Sequence, residues 1–401
     1  MGVRMSNAAI GDGLVIPLVG KIDSANAPEV ERDVFAALDG EAAASETTLI
    51  FDAKGLEYIS SAGLRVLLRA MKAHGSPCEM REVSPEVYEI LDITGFTELM
   101  TVRKRMREVS VEGCEIIGRG FYGTVYRIDP ETIVKVYKSP DCIPLIEHER
   151  DMAKLAFVKG VPTAICYDIV KVGDSYASMF ELLNAQTLNT ILIEHPERAE
   201  QIIARYADLM REVHAIEMDP GELPSAKSAW LGYLDDIRDR GLVSARVDER
   251  LRSLIEGVPE TCNVVHGDFH MKNVMLANDE LMLIDMDTLS QGHPIFDMQG
   301  VFVTYKAYRE DDPNNSMEFL GIDAKTADLV WEKTLERYFG TQDADVLERL
   351  SDQIRLVAYV RFLKMVSDPD SAGDALSAVR TRHACEKIDA LAEHVESLDL
   401  A

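Results

Sequence analysis

Two short polar stretches constrain this chain more than any other part of it. Asp268 and Asn273 stand at the two ends of a tight loop that also holds His266, Gly267 and His270. Asp285 then closes a short apolar run over residues 281–284, which reads as a strand. A carboxylate that accepts a hydroxyl proton, with an amide oxygen and a second carboxylate that hold Mg²⁺ on phosphates, is the set of parts phosphoryl transfer needs. Asp268 fits the first role, and Asn273 and Asp285 fit the second. Turn chemistry alone would also account for an Asp and an Asn in a loop.

An upstream element of the right type weighs against that plainer reading. Gly118, Gly120, Gly123 and Val125 make a G-x-G-x-x-G-x-V loop, which differs from a Walker loop. Residues 114–118, 122–128 and 132–137 read as three consecutive strands, the first two flanking that loop. The third carries Lys135 among Ile133, Val134, Val136 and Tyr137, where a strand would aim it at α- and β-phosphates. An exposed strand lysine would show the same alternation. A helix over 144–158 supplies Glu149 as the ion-pair partner of Lys135, with Glu147 the second choice, since one helix cannot turn both to the same point. Two further strands over 163–172 and 175–181 lead to Glu181 and Leu183, near which backbone groups would bond an adenine edge.

The chain has 401 residues, enough for two or three domains. Its net charge of −27 argues against a nucleic-acid partner, which wants a basic face. Six cysteines are scattered without a C-x-x-C pair, as free thiols in a reducing, cytoplasmic setting would be. No apolar run approaches a membrane span, and no signal sequence opens the chain. Gly2 and Ser6 match a myristoylation pattern by letter, which we read as coincidence. Arg103, Lys104, Arg105 and Arg107 form a basic clump in an acidic chain, read as a solvated connector.

The N-terminal third alternates strands (14–19, 47–51, 80–83) with helices (27–38, a second after Ser60 and Ser61, and a third opened by Ser84 and Pro85), giving a small α/β domain. Either Ser60 or Ser61 can cap its helix. Over residues 8–103, and most clearly at 20–27, 56–68 and 82–96, this stretch resembles STAS domains, the fold of anti-sigma-factor antagonists. The resemblance implies that a serine at the start of the second helix is phosphorylated to switch partner binding, and alignment on Gly63 and Leu64 puts Ser61 there. A phosphate at a helix N-terminus meets unpaired N–H groups and the positive end of the dipole, while a partner docked on that spot would have to desolvate a dianion.

The rest resembles the aminoglycoside phosphotransferase and choline kinase branch of the protein-kinase-like fold, closely over 114–310 and loosely beyond. His270 stands where Ser/Thr protein kinases carry Lys, and the metal segment reads Ile284, Asp285, Met286, Asp287 in place of Asp-Phe-Gly. The resemblance implies Asp268 as catalytic base, Asn273 and Asp285 on Mg²⁺ and Lys135 on the phosphates of ATP. Asp287 either assists the metal or is a plain strand-end residue. His266 and His270 orient the loop, and Asp297 ties it to the helical lobe. The expected architecture is therefore an α/β STAS domain over 1–108 and an α+β two-lobed kinase-like domain over 112–401, with an N-lobe to about 182 and a large helical C-lobe from 183. The expected acceptor is a small-molecule hydroxyl or a protein serine such as Ser61, with an anti-sigma-factor-like partner at the STAS domain. A non-catalytic nucleotide-binding regulator is the alternative.

Overall fold

The structure, a computed structural model, describes residues 13–40, 48–75, 77–119, 123–181, 185–368 and 376–401. Gly120, Leu183 and the N-terminal Gly2 and Ser6 lie outside the described residues. The chain divides into two compact units, Met1–Ser110 and Val111–Ala401. Among the described residues no helix is long and apolar enough to cross a membrane.

The first unit runs β1 (Gly13–Ile22), α1 (Ala27–Gly40), β2 (Thr48–Ile59), α2 (Ser61–His74), β3 (Cys78–Val83), α3 (Pro85–Ile93), α4 (Phe96–Leu99) and β4 (Thr101–Lys104). The sheet order is β1-β2-β3-β4 and every pair is parallel. Parallel neighbours need a crossover, and the helices provide it. Leu18, Leu49, Phe51 and Met80 from the strands meet Val34, Leu67 and Val87 from the helices in a core sealed from solvent.

Two details depart from the sequence pattern. Strand β1 continues through Gly20, Lys21 and Ile22, beyond the strand expected over 14–19; the register against β2 shifts there, so the irregularity is a bulge. Residues 101–104 form an edge strand, so Arg103 and Lys104 do not belong to a connector. Arg103 and Arg81 both bind the Glu79 carboxylate, Arg81 at 2.8 Å. A four-residue edge strand that is mostly exposed carries no apolar alternation to reveal it.

Helix α2 resolves the question of the paired serines. Ser60 Oγ accepts from the N–H groups of Ala62 (3.2 Å) and Gly63 (3.4 Å), so Ser60 is the N-cap. Ser61 is the first helical residue, exposed, and the cap does not use its hydroxyl.

The second unit opens with β5 (Glu115–Arg119), β6 (Gly123–Asp129), β7 (Thr132–Tyr137), α5 (Ile143–Val158), β8 (Cys166–Val172) and β9 (Ser175–Glu181). These strands form an antiparallel sheet in the order β5-β6-β7-β9-β8, and α5 turns Ile146, Glu149, Ala153 and Ala156 inward. There follow β10 (Ala185–Thr187), α6 (Leu188–Glu194), α7 (Ala199–His214), α8 (Ala226–Asp239) and α9 (Ala245–Glu256). The sequence pattern has only a loop where β10 and α6 form. The short strands β11 (Val264–Val265), β12 (Val274–Ala277), β13 (Glu280–Leu283) and β14 (Ser290–Gln291) build two small sheets, β10-β12-β13 and β11-β14. The chain ends in α10 (Ile295–Phe302), a π-helical turn (Val303–Ala307), α11 (Tyr308–Asp311), α12 (Asn315–Leu320), α13 (Ala324–Phe339), α14 (Ala344–Val366) and α15 (Ser377–His394). Burial of Ile354, Val357, Ala358, Tyr359, Val360 and Leu363 makes α14 a central rod of this half.

Candidate active site

A cleft of about 1330 Å³ opens in the second unit, lined by both the five-stranded sheet and the helical part. Gly118, Val125, Lys135, Glu149 and Glu181 reach it from the sheet side. Asp268, Asn273 and Asp285 reach it from the opposite side.

Lys135 sits on β7, the middle strand, opposite Val125 of β6 and Ser178 of β9. Its Nζ lies 3.0 and 3.1 Å from the two Glu149 carboxylate oxygens and 3.1 Å from Asp285 Oδ1. Glu149, not Glu147, makes the pair. Burial works to lower the Lys135 pKa, but the charges of Glu149 and Asp285 outweigh it and hold the ammonium protonated. Tyr137, two residues along the same strand face, donates to Glu149 Oε2 at 2.6 Å. Burial and then the Glu149 charge push the Tyr137 phenol well above its ordinary range, so it remains a donor. A Cβ on Gly123 would stand 2.3 Å from the Val136 carbonyl oxygen, so the turn into β6 passes too close to β7 for any other residue.

The loop after β11 is held from several directions. Asp297, at the start of α10 and fully buried, accepts from the N–H of His266 (2.8 Å) and of Gly267 (2.6 Å). His214 of α7 holds the same carboxylate at 3.0 Å and bonds the Tyr338 hydroxyl at 2.7 Å on its other side. Burial works to raise the Asp297 pKa, and His214 more than reverses it, so the group stays a carboxylate. His266 Nδ1 accepts from the N–H of Asp268 (3.2 Å), which leaves Nε2 to donate to the Ile284 carbonyl (3.0 Å) and fixes the tautomer. Tyr206 donates to the Phe269 carbonyl (2.6 Å), and Tyr305, in the π-helical turn, accepts from Met271 N–H (3.1 Å). Gly267 has φ +85°, and a Cβ there would lie 2.8 Å from the Thr288 carbonyl oxygen.

With its backbone so fixed, the loop presents Asp268, whose side chain keeps 35% of its surface open. His270 Nε2 lies 3.2 Å from Asp268 Oδ2, and Arg361 of α14 lies 3.4 Å from Oδ1 while donating to the Gly267 carbonyl at 2.6 Å. Burial works to raise the Asp268 pKa, yet the His270 hydrogen bond and the His270 and Arg361 charges hold it well below the usual carboxylate range.

Asn273 donates through Nδ2 to Asp268 O (3.1 Å) and Oδ2 (3.3 Å), which leaves its amide oxygen unbonded among the described residues. Asp285 stands in a left-handed conformation, φ 68° and ψ 67°, before a short turn over Met286–Thr288. Asp287 is half-buried beside it; burial first, then the Asp285 charge, push its pKa up to about 7. Among the described residues no three His, Cys, Asp or Glu side chains cluster to hold a metal ion. An amide oxygen and one carboxylate are nonetheless the hard donors Mg²⁺ takes when phosphates and water fill its other positions.

Sequence motifs did not reach Arg361, His214, Tyr305 or Tyr338. Arg361 alone left a local signal. It is a single cation between Leu356–Val360 and Phe362–Leu363, a stretch of α14 that is otherwise buried and apolar apart from the Tyr359 hydroxyl.

Residues 5–109 match the family model of the STAS domain, and residues 113–321 match that of the phosphotransferase enzyme family. BtrV of Bordetella bronchiseptica, whose name marks it as an anti-sigma factor antagonist, is 35% identical over 95 residues, 23% of this chain and 78% of BtrV. Among solved structures, a streptomycin–ATP ternary complex of APH(2")-IIa is 15% identical with a TM-score of 0.44, covering 78% of this chain and 98% of that one. A choline/ethanolamine kinase family protein from Mesorhizobium loti is 14% identical with a TM-score of 0.44, covering 71% of this chain and 89% of its own.

Proposed function

The chain belongs to the phosphotransferase enzyme family and carries a STAS domain ahead of it, and on that premise we propose that it transfers the γ-phosphoryl group of ATP, with Mg²⁺, to a hydroxyl of a small molecule. The observation that carries this reading is the meeting in one cleft of the Lys135–Glu149 pair, Asp285, Asn273 and Asp268. Lys135 would hand its ammonium from Asp285 to the nucleotide phosphates while Glu149 keeps it oriented. The backbone around Gly118 and Gly123 would close over those phosphates, with Val125 and the chain near Glu181 lining the base pocket. Asn273 and Asp285 would hold Mg²⁺, which supplies neutralisation of phosphate charge when bound.

Asp268 is the group that meets the acceptor. A carboxylate held ionised by His270 and Arg361 accepts the hydroxyl hydrogen bond, orients the oxygen, and takes the proton as the bond to phosphorus forms. The segment between Asp285 and Asp297 is short, which leaves little room for a peptide-binding loop and favours a small acceptor.

Ser61 supports a second acceptor. It is exposed, free of capping duty, and stands at a helix N-terminus where a phosphate is tolerated. Phosphorylation there would repel an anti-sigma-factor-like protein docked on α2. Incubation with γ-labelled ATP and Mg²⁺, in parallel with Asp268→Ala and Ser61→Ala, separates the readings. Label in a small product that vanishes with Asp268→Ala is expected. Label on the chain that vanishes in both variants makes Ser61 the acceptor. Tight nucleotide binding without turnover makes the protein a non-catalytic regulator.

A further inference from the structure

Lys272 lies in the same loop, one residue before Asn273, and lines the cleft. Its Nζ donates to the Phe319 carbonyl at 3.2 Å and sits 4.2 Å from the centre of the Phe319 ring. Among the described residues it has no carboxylate partner. Its cleft neighbours differ: Lys135 is paired with Glu149 and Asp285, and Arg127 with Glu115 at 3.2 Å. Lys272 is thus a half-buried ammonium left with one carbonyl and one ring face, in a chain with 69 acidic and 42 basic residues. A carbonyl and a ring compensate a partly desolvated cation incompletely, and an incoming anion would complete its shell.

Phe319 comes from α12, in the helical part of the unit, and not from the sheet that carries Lys135 and the glycine loop. The residue is 47% exposed and lines the cleft, and its ring stands edge-on to His270 at 6.1 Å. His270 in turn touches Asp268. The Lys272–Phe319 corner is thus one side chain removed from the carboxylate that meets the acceptor hydroxyl.

We propose that Lys272, seated on Phe319, is the anion-binding group of the acceptor site, so that the hydroxyl substrate carries a phosphate or carboxylate. This rests on the phosphotransfer reading above and names the class of its acceptor. A polycationic acceptor would meet Lys272 as a like charge.

The test is a calorimetric titration of the full chain with inorganic phosphate after saturation with a non-hydrolysable ATP analogue and Mg²⁺. The analogue fills the γ-phosphate position, so phosphate reads the acceptor side. Phosphate affinity is expected to fall about tenfold in Lys272→Gln and to be retained in Lys272→Arg, with analogue affinity unchanged. Equal phosphate binding by wild type and Lys272→Gln, or no phosphate binding by wild type, overturns the proposal. So does a loss of analogue affinity in Lys272→Gln, which would assign the lysine to the γ-phosphate. A chain that fails to bind the analogue at all counts against the phosphotransfer reading instead. In that case the phosphate titration, repeated without analogue on wild type and Lys272→Gln, still decides the role of Lys272.

Discussion

The loop around Asp268 and the start of α2 around Ser61 both leave one polar side chain open to solvent, and they are held by different means. At α2 the cap itself is local, and one bond from β1, Ser60 N–H to the Ile22 carbonyl at 2.8 Å, anchors it. Ser60 caps the N–H groups two and three residues ahead and leaves the next hydroxyl exposed. At Asp268 the local bonds from His266, His270 and Asn273 are joined by many from distant elements. Its loop is tied by Asp297, His214, Tyr206, Tyr305 and Arg361, contributed by α7, α10, the π-helical turn and α14. A site that must hold a reacting oxygen within a fraction of an ångström needs supports from several directions. A switch read by the presence or absence of charge needs only exposure.

This contrast can be broken at four places. Asp297→Ala should do the most damage. It leaves two loop N–H groups and His214 without their buried acceptor, and should cost the second unit about 3–5 kcal/mol in a denaturant titration. The same carboxylate gives a pH signature. Its folded pKa is depressed, so its contribution is complete above the ordinary carboxylate range, near pH 4, and drains away as pH falls through the folded value. That component of the acid slope should be missing in Asp297→Asn.

Arg361→Met comes next. The Gly267 carbonyl loses its donor and Asp268 a positive neighbour, and turnover should fall by about 10–100-fold while nucleotide binding holds. Ser60→Ala should lower the stability of the first unit by about 1 kcal/mol. Ser61→Ala should change it by less than about 0.5 kcal/mol, because the cap does not use that hydroxyl. If Ser61→Ala proves as costly as Ser60→Ala, the division between cap and free hydroxyl is wrong.

The same contrast explains what could be read from the chain alone. Placements that follow from spacing in a short segment were legible: Asp268 beside Asn273, Asp285 at the end of its apolar run, Lys135 in β7, and the strand–helix alternation of the first unit. That only one of Glu149 and Glu147 could face the sheet was legible, with Glu149 the first choice, and the bonds to Lys135 decide for Glu149. Contacts that depend on how distant helices stack were not. Arg361 lies 93 residues from Asp268, and no local pattern links them. His214 and Tyr338 look like ordinary members of helical faces until α7 brings His214 to Asp297 and α13 brings Tyr338 to His214. The edge strand β4 was hidden for a different reason, since it buries too little to impose alternation.

ADP release by the full chain, given ATP, Mg²⁺ and a pool of hydroxyl-bearing metabolites, tests the central claim most directly when wild type is set beside Asp268→Asn. Acceptor-dependent release that drops by about 10²–10⁴-fold in the variant, with nucleotide affinity unchanged, is the expected result. Equal release by the two proteins, or nucleotide binding with no release from either, would contradict a phosphotransfer site built on Asp268.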